Sequence, residues 1–150
     1  MTRGDARELA VHLIYARGFT EEDPQELIRT RMDKAYYAGL SEDNGIYADR
    51  PGKGLRTYID SVVAGVVQET DALNEYIARY SVDWDVSRIS RLARAIMQLA
   101  IYEVLHMEDV PTGVAISEAV RIAKKYDGDD TGAFVNGILG SFARGLNSEV

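Results

Sequence analysis

An all-α protein of six or seven helices is predicted, and three observations carry the prediction. Apolar residues recur at helical spacing in every strongly periodic stretch, and no stretch alternates with period two long enough to argue for a sheet. The three prolines lie between periodic runs rather than inside them. With 150 residues, 46% apolar and 27% charged, the chain fits one domain, 1–150, large enough to bury a real core. No internal repeat is visible.

The elements follow in order. From Ala6, the run ARELAVHLIYARGF sets Ala6, Leu9, Ala10, Leu13 and Ile14 on one face, with Gly18 as a plausible stop. Asp23 followed by Pro24 reads as an N-cap with proline at the first helical position, and that helix should run to about Ala38. The stretch from Gly39 to Gly54 holds four glycines and one proline without sustained period and reads as a surface loop. From Leu55 to Tyr80 the pattern is helical again, as one helix or as two with a break near Thr70 and Asp71. Ser81–Ser87, containing Trp84, reads as a linker. Ile89–Met107 is apolar nearly all round, which marks a central, buried helix. Asp109-Val110-Pro111 ends it. Two amphipathic helices follow, one from Val114 and one through Phe134, Val135, Ile138, Leu139 and Phe142. Gly128 can supply the left-handed cap of the first, and Asp130 or Thr131 can cap the second.

Composition excludes several classes. Without cysteine there are no disulfides and no thiolate zinc sites. His12 and His106 are too few and too far apart to suggest a metal centre. No Ser/His/Asp set or nucleotide-binding glycine motif stands out, and Pro51-Gly52-Lys53-Gly54 lacks both the spacing of a phosphate loop and a preceding strand. Neither an enzyme nor a bound cofactor is expected. No apolar run approaches the roughly 20 residues that cross a bilayer, and the N-terminus lacks the apolar stretch of a signal peptide, so a cytoplasmic protein without membrane contact is expected. A net charge of −7 argues against general nucleic-acid binding. Any RNA site must then be a local basic patch.

Three such patches exist. Lys124 and Lys125, beside Arg121 and followed by Tyr126, stand at the end of a helix: ammonium groups meet phosphates, and a phenol ring can stack on an unpaired base. Lysines at a helix C-terminus also complement its dipole, and Tyr126 could equally cap the core. Asp127, Asp129 and Asp130 follow at once and shorten the reach of the patch's field. Arg3 and Arg7 lie four apart on one side of the first helix, with Tyr15 two turns on and only a little rotated from Arg7; an ordinary solvated first turn reads as well. Arg88, Arg91 and Arg94 open the most apolar helix against its dipole, and an internal ion-pair network with Asp83 and Asp85 is the plainer reading.

The segments Ala115-Ile116-Ser117-Glu118-Ala119-Val120, Ala123-Lys124-Lys125-Tyr126 and Phe134-Val135-Asn136-Gly137 closely resemble the signature of the NusB family of bacterial transcription antitermination factors, AINEAVELAKKYG, a short acidic loop, then FVNG. The resemblance is specific from Arg91 to Leu139, moderate at the N-terminus and absent in the Gly39–Gly54 loop. It implies two packed helical bundles and binding without catalysis. The implied ligand is boxA single-stranded RNA of ribosomal RNA leaders, bound together with NusE (ribosomal small-subunit protein ten) in the antitermination complex of RNA polymerase. Members are described as monomers or dimers, so a homodimer is a further implied partner. By resemblance the RNA-binding residues are Arg3, Arg7, Tyr15, Lys124, Lys125, Tyr126, Asp130 and Phe134. At the N-terminus, Arg3, Ala6 and Arg7 match the frame of the family's RRxAR pattern, but Gly4 and Asp5 stand where members often carry further basic residues. Ala133 occupies a position where a lysine would assist. Phe134 also suits a core position, Asn136 and Gly137 suit structural roles in close helix packing, and Glu118 can hold a helix end. NusB-like domains also stand at the front of some rRNA cytosine methyltransferases, a third reading that would require these 150 residues to be a fragment, since they hold no cofactor-binding domain of their own. The other reading is a helical protein-interaction module with little or no RNA binding.

Overall fold

The computed structural model describes residues 1–33, 36–37, 45–81 and 89–148. Among these there are seven α-helices, one 3-10 turn and no strand: α1 (Arg3–Thr20), α2 (Pro24–Arg31), a 3-10 turn (Gly45–Ala48), α3 (Lys53–Gln68), α4 (Thr70–Tyr80), α5 (Arg91–His106), α6 (Thr112–Asp127) and α7 (Asp129–Ser148). The chain divides into two compact helical units, Met1–Gln68 and Glu69–Val150. The all-α expectation is met.

In the first unit α1 and α3 pack face to face, and α2 packs on both. The predicted apolar stripe of α1 is buried, Leu9, Ala10, Val11 and Leu13 included, as are Ile59, Val62, Val63 and Val66 of α3, the helix it packs on. Burying each such aliphatic side chain is worth about 1.5–3 kcal/mol. The helix begins earlier than its apolar pattern, because Thr2 and Asp5 form a capping box: Thr2 Oγ1 accepts from the Asp5 N–H at 3.1 Å, and Asp5 Oδ2 accepts from the Thr2 N–H at 3.0 Å. Gly18 does not stop it. The helix runs on to Thr20 and closes on Glu21, which takes the left-handed conformation at φ 55° and donates its N–H to the Arg17 carbonyl.

The Asp23-Pro24 start is as predicted, but α2 ends at Arg31 rather than near Ala38. Beyond it the Asp33 side chain and carbonyl accept from the N–H groups of Tyr36 and Tyr37, and these two tyrosines are helical. The expected surface loop lies partly outside the described residues, and its described part is tied down. Tyr37, 1% exposed, donates its hydroxyl to the Asp49 carbonyl at 2.7 Å, with the Ile46 carbonyl at 3.3 Å. Arg50 donates to the Met32 carbonyl at 2.8 Å, and Tyr47 meets His12 Nδ1 at 2.6 Å. Burial first, and then the nearby Asp49 carboxylate, push the Tyr37 pKa up to about 12.

In the second unit α5 is the buried helix the sequence predicts, with Ala93, Ala95–Met97 and Leu99–Ile101 inside. The break between α3 and α4 falls at Glu69. Ser90 caps α5 by accepting from the Ala93 N–H. Of the three arginines at that helix start, Arg91 is exposed and Arg94 half-buried. Arg88 and the linker aspartates Asp83 and Asp85 lie outside the described residues. Phe142 of α7 is fully buried and meets the rings of Tyr76 and Tyr80 edge-on. Gln98 donates to the Asn74 side chain, which satisfies a polar group that α5 buries. Helices α6 and α7 pack along each other as a hairpin.

Candidate RNA interface

The α6–α7 hairpin turns through a single residue. Gly128 takes φ 89°, where a side chain would be strained, and its N–H caps the Lys124 carbonyl at 3.2 Å. The short acidic loop of the sequence reading is therefore no loop. Asp127 ends α6, while Asp129 and Asp130 form the first turn of α7, where carboxylates complement the helix dipole. Thr131 donates to Asp127 across the junction at 3.1 Å.

This turn brings five of the eight predicted site residues to one helix junction. Lys124 and Lys125 are exposed in the last turn of α6, and Tyr126 is half-buried. The Lys125 ammonium stands 5.2 Å from the centre of the Tyr126 ring, so the cation and the aromatic face are already paired. Asp130 is exposed, and Phe134 is half-buried one turn into α7. The core of α7 is instead Val135, Ile138, Leu139 and Phe142, so Phe134 lies at its margin. Arg121 pairs with Glu118 at 2.6 Å, which engages a cation counted in the basic patch and gives Glu118 a partner other than a helix end. Asn136 and Gly137 are exposed, and a methyl group at Gly137 would meet nothing within 4 Å among the described residues, so the expected close packing is not its role.

The N-terminal residues fare differently. The Arg3 guanidinium stacks over the ring of Tyr58, 4.0 Å from its centre, and Tyr58 is buried in α3. Arg7 is only 7% exposed. The expectation that Arg7 projects into solvent is not met: it is buried in α1, three and four places from the buried Ala10 and Val11 and next to the buried Ala6, so it falls beside the apolar stripe. Tyr15, 39% exposed, therefore shares no open face with Arg7. Its neighbour is Phe19, which the sequence reading passed over. Phe19 is 57% exposed and meets Tyr15 edge-on with ring centres 5.0 Å apart. Its spacing of four from Tyr15 was the available signal.

Among the described residues no group of three or more metal-binding side chains occurs, and no helix is long and apolar enough to cross a membrane.

The fold and this junction define a class: all-helical proteins that present cations and aromatic rings at helix ends. Family comparison makes the assignment specific. The family model described as the NusB family matches residues 4–144. Transcription antitermination protein NusB of Acetivibrio thermocellus is 37% identical over 144 residues, covering 96% of this chain and 90% of that protein. The protein of the same name from Symbiobacterium thermophilum is 36% identical over 151 residues, covering 97% and 92%. Among solved structures, T. maritima NusB superposes with a TM-score of 0.77 at 27% identity, covering 96% of this chain and 92% of that one. The antitermination factors NusB and NusE in complex with dsRNA give a TM-score of 0.73 at 22% identity over 95% and 96%, a likeness of fold. The chain belongs to the NusB family.

Proposed function

We propose that this protein is a transcription antitermination factor that binds boxA-type single-stranded RNA of rRNA leaders together with NusE, within the antitermination complex of RNA polymerase. The supporting observation is the α6–α7 junction, where Lys124 and Lys125 are exposed and the Lys125 ammonium is paired with the Tyr126 ring. Ammonium groups there bind phosphate by charge, and Tyr126 and Phe134 offer ring surface to unpaired bases. On the first unit, Tyr15 and the Tyr58-stacked Arg3 are the proposed contacts, while Arg7 is buried. A solved NusB has been captured with NusE and dsRNA, and family membership makes the same kind of partners the natural choice here. The work is binding without chemistry.

NusE would supply charge and contact area that a chain of net charge −7 lacks. The burial of Arg7 favours a second reading, a protein-interaction module with little RNA affinity, since it removes one cation from the N-terminal set. Fluorescence anisotropy of labelled boxA RNA, with and without equimolar NusE and against a scrambled RNA, separates the two. Selective binding that strengthens with NusE is expected. No selective binding under either condition leaves the protein-interaction reading.

A further inference from the structure

Gly132 lies in the first full turn of α7 and is buried, although Ala133 beside it is exposed. Its backbone is ordinary helix: its N–H donates to the Gly128 carbonyl at 3.1 Å, and Gly128 is the glycine that has the positive φ. Glycine in such a position weakens a helix relative to alanine, so conformation gives no reason for it. Space does. A methyl group at Gly132 would stand 2.5 Å from Cγ, 3.1 Å from Cε and 3.4 Å from Cδ of Lys124, and these are its three nearest neighbours. The lysine stem thus lies across the helix junction on the bare backbone of Gly132, while the residue as a whole stays exposed. Because the closest atom is Cγ, near the root of the side chain, a methyl group could not be cleared by moving the ammonium end alone. The stem would have to leave for another rotamer.

We propose that Gly132 is a positioning residue for RNA binding: by lacking a side chain it seats the Lys124 stem and fixes where that ammonium is presented. This rests on the reading of Lys124 as an RNA contact. A lysine held by its stem loses less side-chain freedom on meeting a phosphate than one that swings free, which is the advantage of preorganisation. The glycine is then a cost in helix stability kept for the sake of the site.

The test compares wild type, Gly132→Ala, Lys124→Ala and the double variant, each as the full chain with NusE, titrated into labelled boxA RNA. NMR of the free proteins accompanies it. In wild type, NOEs between Gly132 Hα and Lys124 Hγ are expected, and Gly132→Ala should shift the Lys124 side-chain resonances. Lys124→Ala should weaken RNA binding several-fold. Gly132→Ala should weaken it several-fold in the wild-type background and not at all in the Lys124→Ala background, with a melting temperature equal to or above wild type. Weakening by Lys124→Ala but not by Gly132→Ala would overturn the positioning role and leave the RNA reading standing. An equal loss in both backgrounds, or the absence of the NOEs, would overturn it too. No effect of Lys124→Ala would remove Lys124 from the RNA site, and the positioning role with it, while the NOEs would still report whether the seat exists.

Discussion

The two basic clusters that the sequence offers for RNA are similar in charge and opposite in circumstance. At the N-terminus, Arg3 is stacked on the buried Tyr58 ring and Arg7 is itself buried. At the α6–α7 junction, Lys124 and Lys125 are exposed on a helix end whose dipole favours them. The difference comes from placement on the helix. Arg3 and Arg7 sit close to the apolar stripe of α1, Arg3 over the Tyr58 ring of α3 and Arg7 buried, so that their long stems lie along the fold rather than in solvent. The lysines occupy the final turn, beyond the buried Ala119, Ile122 and Ala123. Formal charge locates candidate cations, and only burial tells which of them remain available to a phosphate.

That contrast makes its largest prediction in stability. Arg7→Ala should destabilise the protein by about 2 kcal/mol in urea unfolding, because it empties a buried position whose side chain is engaged in the fold. Lys124→Ala should stay within about 0.5 kcal/mol of wild type. Equal costs for the two would erase the distinction drawn here. In RNA binding the order should reverse. Lys124→Glu should weaken boxA affinity in the complex with NusE by about tenfold, equivalent to about 1.4 kcal/mol, and lower the slope of log affinity against log salt by about 1. Unfolding curves should hardly move. Unchanged affinity would take the junction out of the site.

A smaller effect distinguishes how the first unit holds its connecting segment. Tyr37 has its pKa raised to about 12 by burial, against an ordinary value of 10.0. A tyrosine that stays protonated longer in the folded state contributes stability that is fully present below about pH 10, and this stability drains away as pH rises through about 12. Tyr37→Phe should cost about 1 kcal/mol at neutral pH, through the lost hydroxyl bonds to the Asp49 and Ile46 carbonyls. It should also flatten the alkaline decline in stability between those values. An alkaline arm identical to wild type would mean that Tyr37 does not couple to unfolding there.

Most of the helices were legible because apolar spacing is a property of the chain itself. The stripe of α1, the Asp23-Pro24 start, the division near Thr70 and the all-round apolar α5 could all be read without coordinates. What escaped depends on contacts between distant residues. Gly18 looked like a stop, but the cap forms three residues later, at Glu21. Tyr37, Arg50 and Tyr47 tie down a segment whose composition reads as loop, through bonds to residues 12, 32, 46 and 49. At the site, the Lys124–Lys125–Tyr126 end was visible from residue type, whereas the burial of Arg7 and the exposure of Phe19 were not. Among the glycines of α7, Gly137, expected in close packing, is open, while Gly132, about which helical spacing says nothing, lies beneath a lysine eight residues earlier. Spacing along one helix cannot disclose that, because the contact crosses from one helix to the next.

Asp5 offers the finest test of the comparison, because one side chain has two readings with separable consequences. In sequence a carboxylate between Arg3 and Arg7 reads as a repulsive group near phosphate. In the structure its carboxylate accepts the Thr2 N–H and closes the capping box of α1. A negative charge in the first turn also suits the helix dipole. Asp5→Ala loses both the bond and the charge, and should cost about 0.5–1 kcal/mol of stability. Asp5→Asn keeps an acceptor in place and removes only the charge, so it should cost less. RNA affinity responds to charge alone. If the N-terminal cluster lies near phosphates, both variants should bind boxA RNA more tightly and by similar factors, with the gain shrinking as salt is raised. If affinity is unchanged in both while stability falls in the expected order, Asp5 serves only to start the helix, and the N-terminal cations lie away from the RNA.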